Sequence, residues 1–130
     1  METREAVEKL LGRMASGDAE AIAELFAPGV DFMCAGSAPW IKPRSTREDM
    51  TAFFAEMEEN FMPDKRSASV SGFLVDGNDA VVMGRVSQRL KSNGESFEIP
   101  FALHLTVSEG GIARYHVYED SLTVARAVAQ

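Results

Sequence analysis

Residues 97–107 have the sequence FEIPFALHLTV, and the prediction of the fold starts from this segment. Its odd-numbered residues are all apolar and its even-numbered residues are mostly small or polar, which is the period of a β-strand with one buried face. Similar runs lie on both sides of it, separated by turn pairs such as Asn93-Gly94 and Gly110-Gly111. The second half of the chain therefore predicts an antiparallel meander of four strands: Val70–Val75, Ala80–Leu90, Phe97–Val107 and Ile112–Tyr118.

The first half of the chain has helical periodicity instead. Apolar residues spaced three and four apart form one face of each predicted helix, and Gly, Pro and Asp mark the ends. A capping box is predicted at Ser45 and Glu48, at the start of the longest amphipathic helix, which Pro63 ends. The other predicted elements are helices over Thr3–Ser16 and Ala19–Phe26, a strand over Val30–Ala35, and a helix or extended arm over Ser121–Ala129.

Composition limits the possible partners. The chain has 130 residues, 45% of them hydrophobic, which suits a single domain spanning 1–130. Its 13 basic and 20 acidic residues give a net charge of −7, so neither nucleic acid nor an anionic membrane is expected as a partner. Cys34 is the sole cysteine, which excludes an internal disulfide. No run of apolar residues has the length expected of a signal peptide or a membrane-spanning segment. A cytoplasmic protein is expected.

The order of these elements predicts an α+β fold. Three helices and one strand precede the meander, so the helices should pack on one face of a curved sheet. A strongly bent sheet that covers its helices only partly leaves an apolar cavity with one open mouth, and such cavities are the usual ligand sites of small domains. We therefore expect the chemistry of this protein to lie inside a cone.

Five short segments, spread over nearly the whole chain, combine turn residues with helix and strand ends: Gly17-Asp18-Ala19, residues 26–31, Pro39-Trp40, Gly110-Gly111-Ile112 and Tyr118-Glu119-Asp120-Ser121. In these segments the chain resembles the nuclear transport factor 2-like superfamily, and within it the SnoaL-like family, which is related to polyketide cyclases, ketosteroid isomerase and limonene epoxide hydrolase. The resemblance implies a cone of three N-terminal helices packed on a strongly curved, mostly antiparallel sheet.

The same resemblance implies that Asp120 is an acid/base group inside the cavity. Period-two geometry places Tyr118, His116 and Arg114 on its side of the last strand. A partly desolvated Asp120 could take a proton next to a carbonyl group, and His116 or Tyr118 could donate to the developing oxyanion. Alternatively, the row is a solvated surface ladder, and Asp120 or Ser121 caps the terminal helix.

His104 is a second candidate for the donor, because it lies about where ketosteroid isomerases carry an oxyanion-hole acid. If Val107 pairs with Ile112 in the last hairpin, His104 lies opposite Tyr115 and points away from Asp120. A glycine bulge at Gly110-Gly111 would shift the register by one residue and bring His104 and Asp120 together.

Two positions depart from the relatives. Met33 stands where ketosteroid isomerases have their aspartate base, and Arg85-Val86-Ser87 keeps the arginine of the epoxide hydrolases but not their aspartate. Arg85 and Met33 are nevertheless predicted to contact substrate, together with Trp40 at the mouth and Phe54 on the third helix. Core packing is the alternative role for Trp40, Met33 and Phe54.

The sequence thus favours an enzyme without metal or other cofactor that acts on a hydrophobic carbonyl compound by proton transfer. Aldol-type cyclisation, isomerisation and dehydration all fit. The alternatives are a non-catalytic small-molecule-binding or dimerisation module, and an epoxide hydrolase or epoxide-opening cyclase. The expected partners are a small hydrophobic molecule and a second copy of the chain, in a homodimer formed through an exposed apolar sheet face.

Overall fold

One curled sheet of five strands and four helices make up the computed structural model, which describes residues 1–130. The strand order is β1-β5-β4-β3-β2, with β1 parallel to β5 and all other neighbours antiparallel. The predicted α+β architecture is confirmed. The elements are α1 (Thr3–Ser16), α2 (Ala19–Ala23), β1 (Phe26–Cys34), α3 (Arg47–Asn60), β2 (Ser67–Asp76), β3 (Asp79–Arg89), β4 (Ser96–Ser108), β5 (Gly111–Glu119) and α4 (Ser121–Val128).

The first helical hairpin turns at Gly17 and Asp18. Gly17 ends α1 in the left-handed region, at φ 76°, and the Asp18 side chain then accepts from the Ala21 N–H at 3.2 Å. The predicted end of α2 at Phe26 is wrong, as is the predicted start of β1 at Val30. Phe26 already pairs with Ile112 across the sheet, so the strand begins four residues earlier and α2 stops at Ala23.

The capping box of α3 lies one residue later than predicted. Thr46 and Asp49 form it: the Thr46 hydroxyl accepts from the Asp49 N–H at 3.1 Å, and the Asp49 carboxylate accepts from the Thr46 N–H at 3.0 Å. The carbonyl of Ser45 instead accepts from the Val30 N–H at 2.9 Å. Ser45 is thus held against β1, and the helix begins after it.

The core lies between the helices and the face of the sheet that they cover, which we call the inner face. The predicted alternation along β4 is confirmed: Phe97, Ile99, Leu103, Leu105 and Val107 are buried. Phe101 is half-buried. The other side of the sheet, the outer face, is covered by no helix.

A bulge in β5 sets which of its residues face inward. Val107 pairs with Ile112, but Thr106 pairs with Arg114, so Ala113 is an extra residue in β5. Beyond the bulge, Tyr115 lies on the inner face with the core. Alternation then places Val117 and Glu119 on the inner face as well.

Candidate functional site

A carboxyl and a thiol meet at the open end of the inner face. Glu119 is the last residue of β5, and Cys34 is the last residue of β1, which lies beside β5. The Cys34 thiol donates to Glu119 Oε1, with the sulfur 3.5 Å from the oxygen. Both side chains lie on the inner face. Glu119 lies there because it is two residues after Val117 on β5, and Cys34 lies there because it pairs with Val117 across the sheet.

Burial controls the ionisation of this pair. It raises the pKa of Glu119 above its ordinary value, and the neighbouring charge of Asp120 adds to that effect. Burial and the charge of Glu119 together raise the pKa of Cys34 to about 12. Cys34 therefore stays a neutral thiol that donates at neutral pH, while Glu119 has a pKa closer to neutrality than an exposed carboxyl.

Aromatic rings form the wall behind this pair. Tyr115 lies at the centre and is stacked on Phe32, with ring centroids 6.1 Å apart and planes 2° apart. Three further rings surround Tyr115 at 5.7–6.0 Å, those of Phe26, Phe53 and Phe54. Phe54, predicted to contact substrate, is buried in this cluster. Burial raises the pKa of Tyr115 well above its ordinary value, so its hydroxyl stays protonated.

A buried arginine stands against the same wall. The Arg44 side chain is 4% exposed, and its Cζ lies 5.2 Å from the ring centroid of Phe53. Its Nη2 donates to the Trp40 carbonyl and to Glu56 Oε2, both at 2.9 Å, and its Nη1 donates to the Asp49 carbonyl at 3.2 Å. Its Nε is buried and has no hydrogen-bond partner.

A narrow cleft marks the mouth of the cone. Trp40 lines it and also packs edge-on against Phe61 at 5.0 Å, so it is both part of the core and part of the cleft. The cleft has no room for a molecule the size of water, whereas ordinary small-molecule sites enclose roughly 300–1,000 Å³. The other lining residues are Ala35, Gly36, Ser37, Ala38, Ile41, Glu119, Ser121 and Val124.

The predicted polar row on β5 does not face the cavity. Arg114, His116 and Tyr118 do share one face, but it is the outer face, because the core occupies the other side of the strand. Arg114 Nε donates to Asp31 Oδ2 at 3.2 Å. His116 Nε2 lies 3.0 Å from Asp31 Oδ1, with its N–H not aligned for a hydrogen bond. Tyr118 is 50% exposed.

Asp120 does not enter the cavity either. It is the N-cap of α4: its Oδ1 accepts from the Thr123 N–H at 3.1 Å, and its Oδ2 accepts from the Thr123 hydroxyl at 2.6 Å. These bonds lower the pKa of Asp120, which is exposed. The capping role that the sequence left open is therefore the one observed.

His104 lies on the outer face as well. The β5 bulge places it opposite His116, with ring centroids 6.1 Å apart, rather than opposite Tyr115. Its Nε2 lies 2.9 Å from Asp79 Oδ1, so its partner is a surface carboxylate. The predicted bulge at Gly110-Gly111 is not observed; the bulge lies at Ala113 instead and brings His104 opposite His116, not to Asp120.

Met33 and Arg85, both predicted to contact substrate, lie away from the cleft. Met33 pairs with His116 and shares its outer face. Arg85 Nε donates to Glu98 Oε1 at 2.9 Å on the exposed surface, and the Ser87 hydroxyl donates to the other oxygen of Glu98. An epoxide site built on Arg85 has no support in this geometry, because the arginine is paired outside the cone.

Sequence reasoning missed Glu119 and Arg44. Glu119 could have been found, because Tyr115 and Val117 are apolar and alternation puts Glu119 on their side. Arg44 gave no such signal, since nothing in a Pro- and Lys-containing loop marks one arginine as buried.

Neither a metal site nor a membrane span is found. No three His, Cys, Asp or Glu side chains are grouped so as to hold a metal ion. The longest helices have 14 residues, and none combines the length and hydropathy of a membrane-spanning segment.

The fold and the site define an α+β cone with a carboxyl and a thiol at its open end. Residues 7–115 match the model of the SnoaL-like domain, and the chain belongs to that family. No curated protein matches the sequence.

Solved structures share the fold at low identity. A nuclear transport factor 2-like protein from Burkholderia thailandensis is 19% identical, with a TM-score of 0.86 over 98% of each chain. A candidate SnoaL-like polyketide cyclase from Jannaschia sp. CCS1 is 22% identical, with a TM-score of 0.78 over 99% of this chain and 94% of that one. A protein with a ketosteroid isomerase-like fold from Catenulispora acidiphila is 16% identical, with a TM-score of 0.75 over 89% and 85%.

Proposed function

We propose that this protein is a cofactor-free enzyme that transfers protons on a flat, hydrophobic carbonyl compound, with Glu119 as the acid/base group. The observation that carries the proposal is the half-buried Glu119 carboxyl, whose pKa is raised by burial beside an aromatic wall. Asp120, one residue further on, is occupied as a helix cap. The acid/base role expected of Asp120 therefore moves to Glu119.

The chemistry needs few groups. The Glu119 carboxylate takes the proton from the carbon next to the carbonyl, and the electron pair moves into the carbonyl to form an enolate. In a substrate with a β,γ double bond, Glu119 returns the proton to the γ-carbon of the dienolate, which gives isomerisation. In a substrate with a second carbonyl, the enolate carbon attacks that carbonyl and closes a ring, and Glu119 returns the proton to the alkoxide that forms. The aromatic wall limits water, which keeps the carboxylate basic and protects the enolate.

Exchange of α-protons tests the proposal without knowledge of the natural substrate. 2-Tetralone, a bicyclic ketone with acidic α-protons, is incubated with the protein in D2O, and NMR follows the loss of the α-proton signal. We expect exchange at least about 100-fold faster than in buffer, and Glu119→Gln should remove most of the gain. Asp120→Asn is the matched control, because it changes the adjacent carboxylate and should keep the activity.

The opposite pattern contradicts the proposal. If Glu119→Gln exchanges protons as fast as the unchanged protein while Asp120→Asn does not, the acid/base group is Asp120. If the unchanged protein accelerates no exchange, proton transfer on this class of ketone is excluded.

A non-catalytic binding module is the second candidate. The observation in its favour is the filled interior: aromatic side chains occupy the cone, and the cleft has no room for a molecule the size of water. Binding of 2-tetralone without any exchange, unaffected by Glu119→Gln, would support it over the enzyme.

We also propose a homodimer that pairs through the outer face. Tyr118 and Leu74, 50% and 60% exposed, lie on strands that no helix covers on this side. Sedimentation should give twice the monomer mass, and Tyr118→Asp should reduce it to the monomer. A monomer at all concentrations contradicts this proposal.

A further inference from the structure

The Glu119 carboxyl has a single hydrogen-bond partner in the protein. That partner is the Cys34 thiol, whose sulfur lies 3.5 Å from Glu119 Oε1. No backbone N–H and no cationic side chain donates to the carboxyl. The cleft that Glu119 lines has no room for a water molecule, so water in the cleft cannot replace the thiol as donor. The thiol is therefore the one group of the protein that stabilises the ionised carboxylate directly.

Two paired strands hold the thiol and the carboxyl together. Cys34 ends β1 and pairs with Val117, and Glu119 lies two residues further along β5, on the same face. Both side chains therefore project from regular strands and not from a mobile loop. Groups on strands are held more precisely than groups on loops, so the sheet fixes the separation of sulfur and oxygen.

The other groups around Glu119 do not favour its ionised form. Burial raises the pKa of Glu119, and the negative charge of Asp120, at the start of α4, raises it further. Tyr115, on the same face of β5, stays a neutral phenol because burial raises its pKa. The cation nearby, Arg44, acts on the thiol. Only the hydrogen bond from Cys34 lowers the pKa of Glu119, so the ionised state depends on one thiol.

We propose that Cys34 is the positioning residue of Glu119: its thiol proton orients the carboxylate and stabilises the ionised form, which removes the proton from the substrate. The inference rests on the proposed function only for the role of the carboxylate in the reaction. The bond between thiol and carboxylate is a property of the folded protein. Burial raises the pKa of Cys34 to about 12, so the thiol keeps its proton and acts only through Glu119.

A purely structural role for Cys34 makes a different prediction. Cys34 would then be a small apolar side chain that fills space at the end of β1. The Ala35 carbonyl oxygen, 4.0 Å from the sulfur, would serve as acceptor as well as Glu119 does. Such a thiol would not respond to the charge of Glu119. A positioning thiol forms a stronger hydrogen bond once the carboxyl loses its proton.

Infrared spectroscopy of the S–H stretch separates the two roles. Cys34 is the sole cysteine, so the spectrum has one S–H band, and Cys34→Ser identifies it by its loss. We expect this band to move to lower frequency between about pH 4 and about pH 8, as Glu119 ionises and the hydrogen bond strengthens. Glu119→Gln should abolish the shift. Asp120→Asn is the matched control, because it changes the adjacent carboxylate and should keep the shift.

The pH dependence of proton exchange on 2-tetralone tests the effect of Cys34 on the reaction. Cys34→Ala leaves the carboxylate without a donor, so the pH midpoint of exchange should rise by about 0.5 pH units or more. Cys34→Ser keeps a donor and should restore the midpoint. Loss of packing alone would lower the rate without moving the midpoint. Should Cys34→Ala fail to fold, Cys34→Val replaces it, since valine fills the site without a donor.

Each other outcome overturns the inference. If the S–H band does not move with pH, or moves equally in Glu119→Gln, the thiol does not stabilise the ionised Glu119. If Asp120→Asn abolishes the shift, the thiol responds to Asp120 instead. If the band moves but Cys34→Ala keeps the exchange midpoint, the thiol contacts the carboxylate without controlling it. If the unchanged protein accelerates no exchange, the proposed function fails, and the S–H band still decides whether Cys34 stabilises the Glu119 carboxylate.

Discussion

Alternate residues of β5 lie on the inner and the outer face of the sheet, and the two faces differ in burial and charge. On the inner face, Glu119 forms no ion pair, and burial raises its pKa. On the outer face, His116 and Arg114 lower the pKa of the exposed Asp31, and Thr106 and His104 lower that of Asp79. The outer face has more titratable groups, yet each is paired or solvated. Acid/base reactivity is therefore expected where a carboxyl lacks both water and a cation, rather than where polar residues are most numerous.

The largest difference in the free energy of unfolding is expected between an aromatic residue of the core and one on the outer face. Phe26 is fully buried between Phe54 and Tyr115, and Phe26→Ala should lower the free energy of unfolding by about 3–5 kcal/mol. Tyr118→Ala on the outer face should lower it by less than about 0.5 kcal/mol in the monomer. Urea unfolding measures both. Equal losses would mean that the outer face is covered in solution.

The next effect concerns Gly111, the first residue of β5. Gly111 has φ 122°, and a Cβ there would lie 2.7 Å from the Leu25 carbonyl oxygen. Gly111→Ala should therefore cost about 1–3 kcal/mol of unfolding free energy. Gly77→Ala is the control, because a Cβ at this left-handed glycine would meet no atom within 4 Å. If the two variants lose the same stability, backbone strain alone explains the result and the close approach to Leu25 does not matter.

Glu119→Gln should make the protein more stable at pH 7, by about 3 °C in the thermal midpoint. Burial raises the pKa of Glu119, so ionising it costs more in the folded than in the unfolded state. The unchanged protein therefore loses stability as pH rises from the unfolded pKa through the folded one, and the glutamine variant does not. The two midpoints should converge below about pH 4. A variant less stable at pH 7 would mean that the Glu119 carboxylate is well solvated.

Asp31→Asn should have the smallest effect and the opposite pH dependence. Its partners His116 and Arg114 lower the pKa of Asp31, so the carboxylate stabilises the fold above its unfolded pKa, and that stability is lost as pH falls through the folded value. Because Asp31 is exposed, we expect the thermal midpoint to fall by less than about 3 °C at pH 6 and to match the unchanged protein near pH 3. A larger loss at pH 3 than at pH 6 contradicts this assignment.

Much of the fold could be read from the sequence because the local period of apolar residues is strong. The meander, α1 and the buried face of β4 follow from periods of two and 3.6 residues. The errors lie at the ends of helices. Helix α2 ends earlier than predicted because Phe26 pairs with Ile112 in the sheet. The cap of α3 lies one residue later than predicted because Ser45 is hydrogen-bonded to Val30 of β1.

The local alternation of a strand is enough to predict that Arg114, His116 and Tyr118 share one face of β5. Which face turns inward depends on contacts between distant parts of the chain, namely the bulge at Ala113 and the packing of Tyr115 against Phe53 of α3. The same holds for the neighbours Glu119 and Asp120. Both are acidic in the sequence, but the fold buries one beside a thiol and uses the other as a helix cap, because burial depends on what packs against a residue from elsewhere in the chain.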